Sequence, residues 1–275
     1  MHGAGNCYVY VNCFEEQVAE APGLARAMSD RNTGVGSDGL ILICPSHKAD
    51  ARMEMYNVDG SRAQMCGNGI RCLAKYVYDH GLSRNNPMRV ETDAGLLTLD
   101  LTIEDGRVTH ARVDMGPPRL RPEDLPVMLS PDQMVDHPVQ VLGRTGYMTC
   151  VSMGNPHAVI YGMDLGVLTP RKLEEEGRRL ETHALFPQRT NVHFVKVNGP
   201  AEVTILTWER GSGATAACGT GASAVCVAGV LTRRSQRKIT AHLPGGDLQL
   251  EWRESDNHVY LTGPAVELFS GQWPG

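Results

Sequence analysis

Two stretches of this 275-residue chain repeat one another, and an internal repeat constrains a fold more tightly than composition does. Around Cys66 the order is Asp59-Gly60-Ser61, then Cys66-Gly67-Asn68-Gly69, then an apolar-periodic segment over 70–80. Around Cys218 it is Arg210-Gly211-Ser212, then Cys218-Gly219-Thr220-Gly221, then a periodic segment over 222–234. Upstream of each, a Gly-Asn pair precedes a strand-like run: Gly5-Asn6 before 8–11, and Gly154-Asn155 before 158–161. Asn6 precedes Cys66 by 60 positions and Asn155 precedes Cys218 by 63. The chain therefore reads as two similar halves offset by about 150 residues, each with one Cys-Gly-x-Gly at the mouth of a helix.

Short runs rich in Val, Ile, Leu and Thr, punctuated by Gly, Asn and Asp, predict strands through most of the chain. They fall at 8–11, 39–43, 51–56, 88–92, 96–103, 107–114, 149–152, 158–161, 192–197, 201–208, 238–242, 247–252 and 259–261. Helical periodicity marks 14–29, 69–80, 170–180 and 221–234, and more weakly 122–125. Residues 116–138 carry six prolines and few periodic apolar positions, which reads as a linker or long connection. The boundary is set there, giving an N-terminal half over 1–116 and a C-terminal half over 117–263.

Length and composition, 41% hydrophobic and 21% charged, are those of two ordinary globular domains, which excludes a disordered or fibrous chain. With 26 basic against 31 acidic residues there is no positive surplus to bind nucleic acid or an anionic membrane. The longest nearly apolar run, 222–231, is half the roughly 20 residues a membrane-spanning helix needs. The eight cysteines sit mostly in apolar runs, show no C-x-x-C spacing and follow no secretory signal pattern. Reduced thiols in a cytoplasmic protein are expected, rather than disulfides or a metal site.

A helix start leaves its first amides without internal partners and carries about half a positive charge. Flanking glycines let a ligand approach that backbone, so each Cys-Gly-x-Gly forms an anion cradle with a sulfur at its edge. The same field is expected to lower the thiol pKa. If the halves face one another, a carboxylate held between the two helix starts would have a thiol on either side of its α-carbon. That is the arrangement for exchanging an α-proton: one thiolate removes it and the opposite thiol delivers another. Cys66 and Cys218 are therefore singled out, because packing does not explain two cysteines each followed by glycines. Cys7, Cys13, Cys44, Cys72, Cys150 and Cys226 read as packing residues.

Seven motifs, in order along the chain, resemble those of the diaminopimelate epimerase family. They are His2-Gly3-Ala4-Gly5-Asn6, Asn57-Val58-Asp59-Gly60-Ser61, Met65-Cys66-Gly67-Asn68-Gly69-Ile70-Arg71-Cys72, Gly154-Asn155-Pro156-His157, Thr190-Asn191-Val192, Glu209-Arg210-Gly211-Ser212-Gly213 and Ala217-Cys218-Gly219-Thr220-Gly221. Leu261-Thr262-Gly263-Pro264-Ala265 extends the likeness towards the end. The resemblance implies an α/β fold of two pseudo-symmetric halves, each a curved mixed sheet or barrel wrapped around a central helix, with 264–275 returning to the first half. It implies a cofactor-independent, two-base epimerase converting LL- to meso-diaminopimelate for lysine and peptidoglycan precursors. Gly67, Asn68, Gly219 and Thr220 would supply amides to the reacting carboxylate, and Asn6, Asn57, Asn155 and Asn191 neutral hydrogen bonds. Arg210 would fork onto the second carboxylate. Glu209 would accept from an ammonium and His157 would help set a thiol's protonation, neither being the proton carrier. A homodimer is compatible with the resemblance.

Gly34-Val35-Gly36-Ser37-Asp38-Gly39 matches G-x-G-x-x-G but follows a predicted helix and opens a strand, the reverse of a dinucleotide site. It reads as a glycine-rich turn at the edge of the site. None of the five lysines (48, 75, 172, 196 and 238) lies in a comparable glycine-rich setting for pyridoxal phosphate. The chain departs from the family pattern in three places. Members usually begin several residues before Met-His-Gly with a short strand ending in lysine, whereas here Met1 is already that methionine. Cys7-Tyr8 replaces Asp-Phe, and Gly39 and Ala214 replace the frequent Gln and Glu. These leave two other readings open: a racemase of another amino acid such as histidine, or a non-catalytic amino-acid-binding relative.

Overall fold

A computed structural model describes residues 1–274 and divides the chain into two units. Unit 1 comprises Met1–Val113 with the segment from Thr262 onward, and unit 2 comprises Asp114–Leu261. The helices are α1 (Ala21–Ser29), α2 (Gly67–Asp79), α3 (Pro170–Glu181) and α4 (Gly219–Leu231). None is long and apolar enough to cross a membrane.

The units share one strand pattern. In unit 1, Val9–Asn12 pairs parallel with Gly39–Cys44, which pairs antiparallel with Ala51–Asn57. That strand runs parallel to Met88–Thr92, which pairs antiparallel with Gly95–Glu104. In unit 2, Pro156–Tyr161 is parallel to Asn191–Gly199, and the latter antiparallel to Glu202–Glu209. Glu202–Glu209 is parallel to Lys238–Leu243, which turns antiparallel into Gly246–Trp252. Short strands are duplicated too: Arg62–Ala63 on Ala51–Asn57, and Gly213–Thr215 on Glu202–Glu209. Parallel pairs need crossover connections, and α1 and α3 lie in the equivalent ones.

Each unit packs its strands against one largely buried helix. Ile70, Leu73 and Val77 of α2 are fully buried, as are Ile41, Ile43, Met53, Met88 and Leu99 on the strands. Helix α4 is small and apolar all round, and residues 221–229 are buried on every face. A helix apolar on all sides has to be surrounded, and α4 contacts five strands of its unit.

Three expectations need correction. Residues 14–20 are not helical, because Pro22, tolerated near the start of α1, would break a hydrogen bond and clash inside a longer helix. Asn12 instead turns the chain, accepting from Phe14 through its side chain and from Glu15 and Glu16 through its carbonyl. Residues 116–138 are no loose linker, since Leu125, Val127 and Met134 are buried in the core of unit 2. Helices α2 and α4 each begin two residues earlier than their periodicity suggests, which makes Cys66 and Cys218 the N-caps themselves.

Candidate functional site

Cys66 caps α2 in an extended conformation, and its Sγ accepts from the Gly69 amide at 3.5 Å. The amides of Gly67 and Asn68 belong to the first turn, where no carbonyl of the helix can reach them. Beside this start the thiol donates to Asn6 Oδ1 at 3.4 Å. Asn6 is held in turn by Asp38, whose Oδ2 accepts from Asn6 Nδ2 at 3.0 Å and from the Cys7 amide at 2.7 Å. The glycine-rich turn is thus a support for Asn6. Gly39, at φ +143°, closes it where a Cβ would stand 2.3 Å from the Tyr56 carbonyl oxygen. The buried Tyr8 hydroxyl lies within hydrogen-bonding reach of Asn6 and the Cys66 sulfur, and burial first, then the neighbouring thiol, raises its pKa.

Asn68 is buried, its Oδ1 accepting from Arg71 at 3.1 Å. Arg71 is fully buried and also donates to the carbonyls of Gly67 and Pro264. Asn57 ends its strand at the Asp59 turn, where its Nδ2 donates to Ser61 Oγ at 3.0 Å.

In unit 2 Cys218 caps α4 in the same extended conformation, 5% exposed, with Sγ 3.5 Å from Thr220 Oγ1. Burial, followed by the nearby Glu209 carboxylate, pushes this thiol well above its ordinary pKa. The expected lowering by the helix start is therefore overturned for Cys218: desolvation of a thiolate and a neighbouring anion outweigh half a unit of positive charge. Glu209 accepts from the Thr215 hydroxyl at 2.6 Å.

Asn155 Nδ2 reaches Thr220 Oγ1 at 3.5 Å, and its Oδ1 is 2.9 Å from His157 Nε2. His157 Nδ1 meets His193 Nε2 at 2.9 Å, and His193 Nδ1 meets Thr207 Oγ1 at 3.1 Å. Both rings are fully buried and neutral: burial holds His157 well below its ordinary pKa and His193 at about 3. Asn191 spans the parallel strand and the turn, donating to the Pro156 carbonyl and accepting from the Arg210 amide, each at 2.9 Å. The Arg210 guanidinium is exposed and donates to the Gln188 carbonyl at 3.2 Å. Buried Glu181 accepts from the Gly211 amide at 3.1 Å and from Trp208 Nε1 at 2.7 Å, fixing that turn.

The residues singled out from sequence thus divide between the two units. Asn6, Asn57, Cys66, Gly67 and Asn68 belong to unit 1; Asn155, His157, Asn191, Glu209, Arg210, Cys218, Gly219 and Thr220 belong to unit 2. Sequence reasoning missed Tyr8, Asp38, Arg71, Glu181 and His193. Asp38 carried a signal, as the acid of a glycine-rich turn. His193 carried only its place in an apolar strand, which reads as packing. Among the described residues no group of three or more His, Cys, Asp and Glu is arranged to hold a metal ion.

The chain as a whole is similar to known proteins. The chain is 52% identical over 272 residues to the diaminopimelate epimerase of Acetivibrio thermocellus, covering 99% of this chain and 96% of that protein. It is 51% identical over 275 residues to that of Moorella thermoacetica, covering 100% and 98%. Among solved structures, a PhzF-family phenazine biosynthesis protein of Bacillus anthracis superposes with a TM-score of 0.69 at 12% identity, over 96% of both chains. A probable proline racemase of Agrobacterium radiobacter K84 gives 0.66 at 16% identity, over 96% of this chain and 88% of that one. Such low identities carry the fold alone: a two-domain α/β fold shared with these proteins. The diaminopimelate epimerase family pattern itself matches residues 1–121 and 149–268, which include both cysteine N-caps and the helices they open, and the chain belongs to that family.

Proposed function

We propose that this chain interconverts LL- and meso-2,6-diaminopimelate by a two-thiol, cofactor-independent exchange of the α-proton. The observation that carries the reading is the duplicated cysteine N-cap, supported by near-full-length relatives of that name. One sulfur, as thiolate, takes the α-proton and becomes a thiol, leaving a carbanion conjugated with the carboxylate. The other sulfur, as thiol, gives its proton to the opposite face and becomes the thiolate. Configuration inverts, and the two thiols exchange protonation states.

Charge building on the carboxylate is met by first-turn amides at Gly67, Asn68, Gly219 and Thr220, fixed dipoles that need no reorganisation. Asn6, Asn57, Asn155 and Asn191 line the substrate with neutral donors and acceptors. Glu209 accepts from the reacting ammonium, and Arg210 binds the distal carboxylate with its planar fork. His157 assists protonation without carrying the proton. The reading includes a curved sheet closing round α2 and round α4, a cytoplasmic location, and a chain able to pair as a homodimer.

In deuterated buffer without added cofactor, LL-diaminopimelate should gain deuterium at its α-carbon, and C66A or C218A should each stop turnover. Absence of exchange with the unaltered chain overturns the reading. Faster turnover of a single-carboxylate amino acid such as histidine would assign the chain to a different racemisation, since only a dicarboxylate uses Arg210 fully.

A further inference from the structure

The hydrogen-bonded row beneath α4 has more members than the proposed chemistry uses. It runs Thr207, His193, His157, Asn155, Thr220, Cys218, with successive heavy-atom distances of 3.1, 2.9, 2.9, 3.5 and 3.5 Å. Its inner half is dry, since Thr207 is 2% exposed and both histidines are fully buried. A neutral imidazole has one donor and one acceptor, so the direction of one bond sets all the others.

The direction follows from the amide. Asn155 presents Oδ1, an acceptor only, to His157, so the His157 Nε2 bears the hydrogen and donates. The His157 Nδ1 is then an acceptor, and the His193 Nε2 must donate to it. The His193 Nδ1 accepts in turn from the Thr207 hydroxyl. At the other end, Asn155 Nδ2 donates to Thr220 Oγ1, which leaves the Thr220 hydrogen free to point at sulfur.

We propose that His193 is a positioning residue: through His157 and Asn155 it fixes the direction of the Thr220 hydroxyl and aims its hydrogen at the Cys218 sulfur. The inference rests on the epimerase reading, in which Cys218 must pass through a thiolate. A hydroxyl hydrogen on that sulfur favours the thiolate, against the burial and the Glu209 carboxylate that oppose it. The charged and titratable groups around this end of α4 are Glu209, which faces Cys218, Arg210, which faces His157, and the two imidazoles. A second contact ties His193 to the helix start: a Cβ on Gly221 would stand 2.2 Å from the His193 Cε1. The equivalent glycine of unit 1, Gly69, faces Ile41, which can relay no hydrogen bond.

Nitrogen-15 spectra of the intact chain labelled in its imidazoles test the direction without any substitution. Both His157 and His193 should be Nε2–H tautomers, and an Nδ1–H tautomer at His157 overturns the proposal. Two variants then test the consequence, with the pH dependence of Cys218 modification by methyl methanethiosulfonate read by mass spectrometry. In H193L the pH of half-maximal rate should rise by about one unit, a tenfold slower reaction at a fixed pH on the acid side. In H193Q, whose amide can still donate to His157 Nδ1, the rate should stay within about twofold of the unaltered chain. A merely structural role would lower the melting temperature of both variants and leave both pH midpoints where they were, which would overturn the proposal. Deuterium uptake by the unaltered chain is measured alongside. Its failure would refute the epimerase reading while tautomers and modification rates still decide the direction of the row.

Discussion

One substitution made at two equivalent places should have opposite outcomes. Gly69 and Gly221 both occupy the third position of a helix that starts on a cysteine cap. Alanine is favoured over glycine inside a helix by about 1 kcal/mol, and that gain is common to both. At Gly69 the added methyl would stand 2.6 Å from Ile41 Cδ1 and 3.1 Å from Met53 Cε, the free ends of side chains that can rotate away. At Gly221 it would stand 2.2, 2.7 and 2.9 Å from three atoms of the His193 ring, which is rigid, fully buried and hydrogen-bonded at both nitrogens. Overpacking costs about 1–3 kcal/mol, and two disturbed buried hydrogen bonds add about 1 kcal/mol or more each. Net of the helix gain, G221A should lose about 2–4 kcal/mol and G69A should fall within about 1 kcal/mol of the unaltered chain. Urea unfolding followed by circular dichroism measures both, and α-deuteration should collapse in G221A well before unfolding begins. Equal midpoints for the two variants would show that the ring yields as easily as the isoleucine, and the reasoning would fail.

Replacing Arg71 by Met should remove the charged donor of three hydrogen bonds, to the oxygens of Gly67, Asn68 and Pro264, so R71M should lose about 3 kcal/mol in the same urea experiment. A loss below about 1 kcal/mol would mean that water replaces the guanidinium. D38A should release Asn6 from its anchor and lower turnover about 10- to 100-fold with the circular dichroism spectrum unchanged, because a misplacement of about 1 Å is enough to do so. Full activity in D38A would remove Asp38 from the site. Acid should destabilise unit 2 early. Burial depresses the folded pKa of His157 and of His193, the latter to about 3, so below the unfolded value of about 6.5 the unfolded chain binds protons that the folded one refuses. Stability is full above that value and falls towards the folded pKa by about 1.4 kcal/mol per pH unit for His193, with His157 adding to the loss in the same direction. Urea midpoints between about pH 6.5 and 5 check the slope, and replacement of His193 by a non-titrating residue should make it shallower.

The cysteine caps were legible in sequence because what marks them is local. A thiol, two glycines and a following apolar period describe a helix start whatever surrounds it, and the two copies identify each other. The row behind Cys218 was not legible, because its members meet through register: His157 stands opposite Asn191 across a parallel pair, and no local rule links positions 157, 193, 207 and 220. The same difficulty hid Tyr8 beside Cys66. The false helix over 14–20 has a local origin in the Asn12 turn and Pro22, whereas in 116–138, read as a linker or long connection, tertiary packing buries Leu125, Val127 and Met134 against its proline-rich local signal.

Register also shows how far the halves have diverged. Both duplicate the backbone, yet Ile41 answers to His193 beneath the helix start, and Arg71 answers to Ser223 one turn further along. Arg71 places a buried cation near Cys66, whereas Cys218 faces the Glu209 carboxylate. A cation favours a thiolate and an anion opposes one, so the two sulfurs stand in unequal fields. A two-thiol exchange needs one sulfur charged and the other protonated before substrate is turned over, and two identical halves would leave that choice undetermined. The substitutions that broke the symmetry of the repeat are therefore the ones that make the two sulfurs inequivalent, with burial and the Glu209 carboxylate opposing a charge on the Cys218 side.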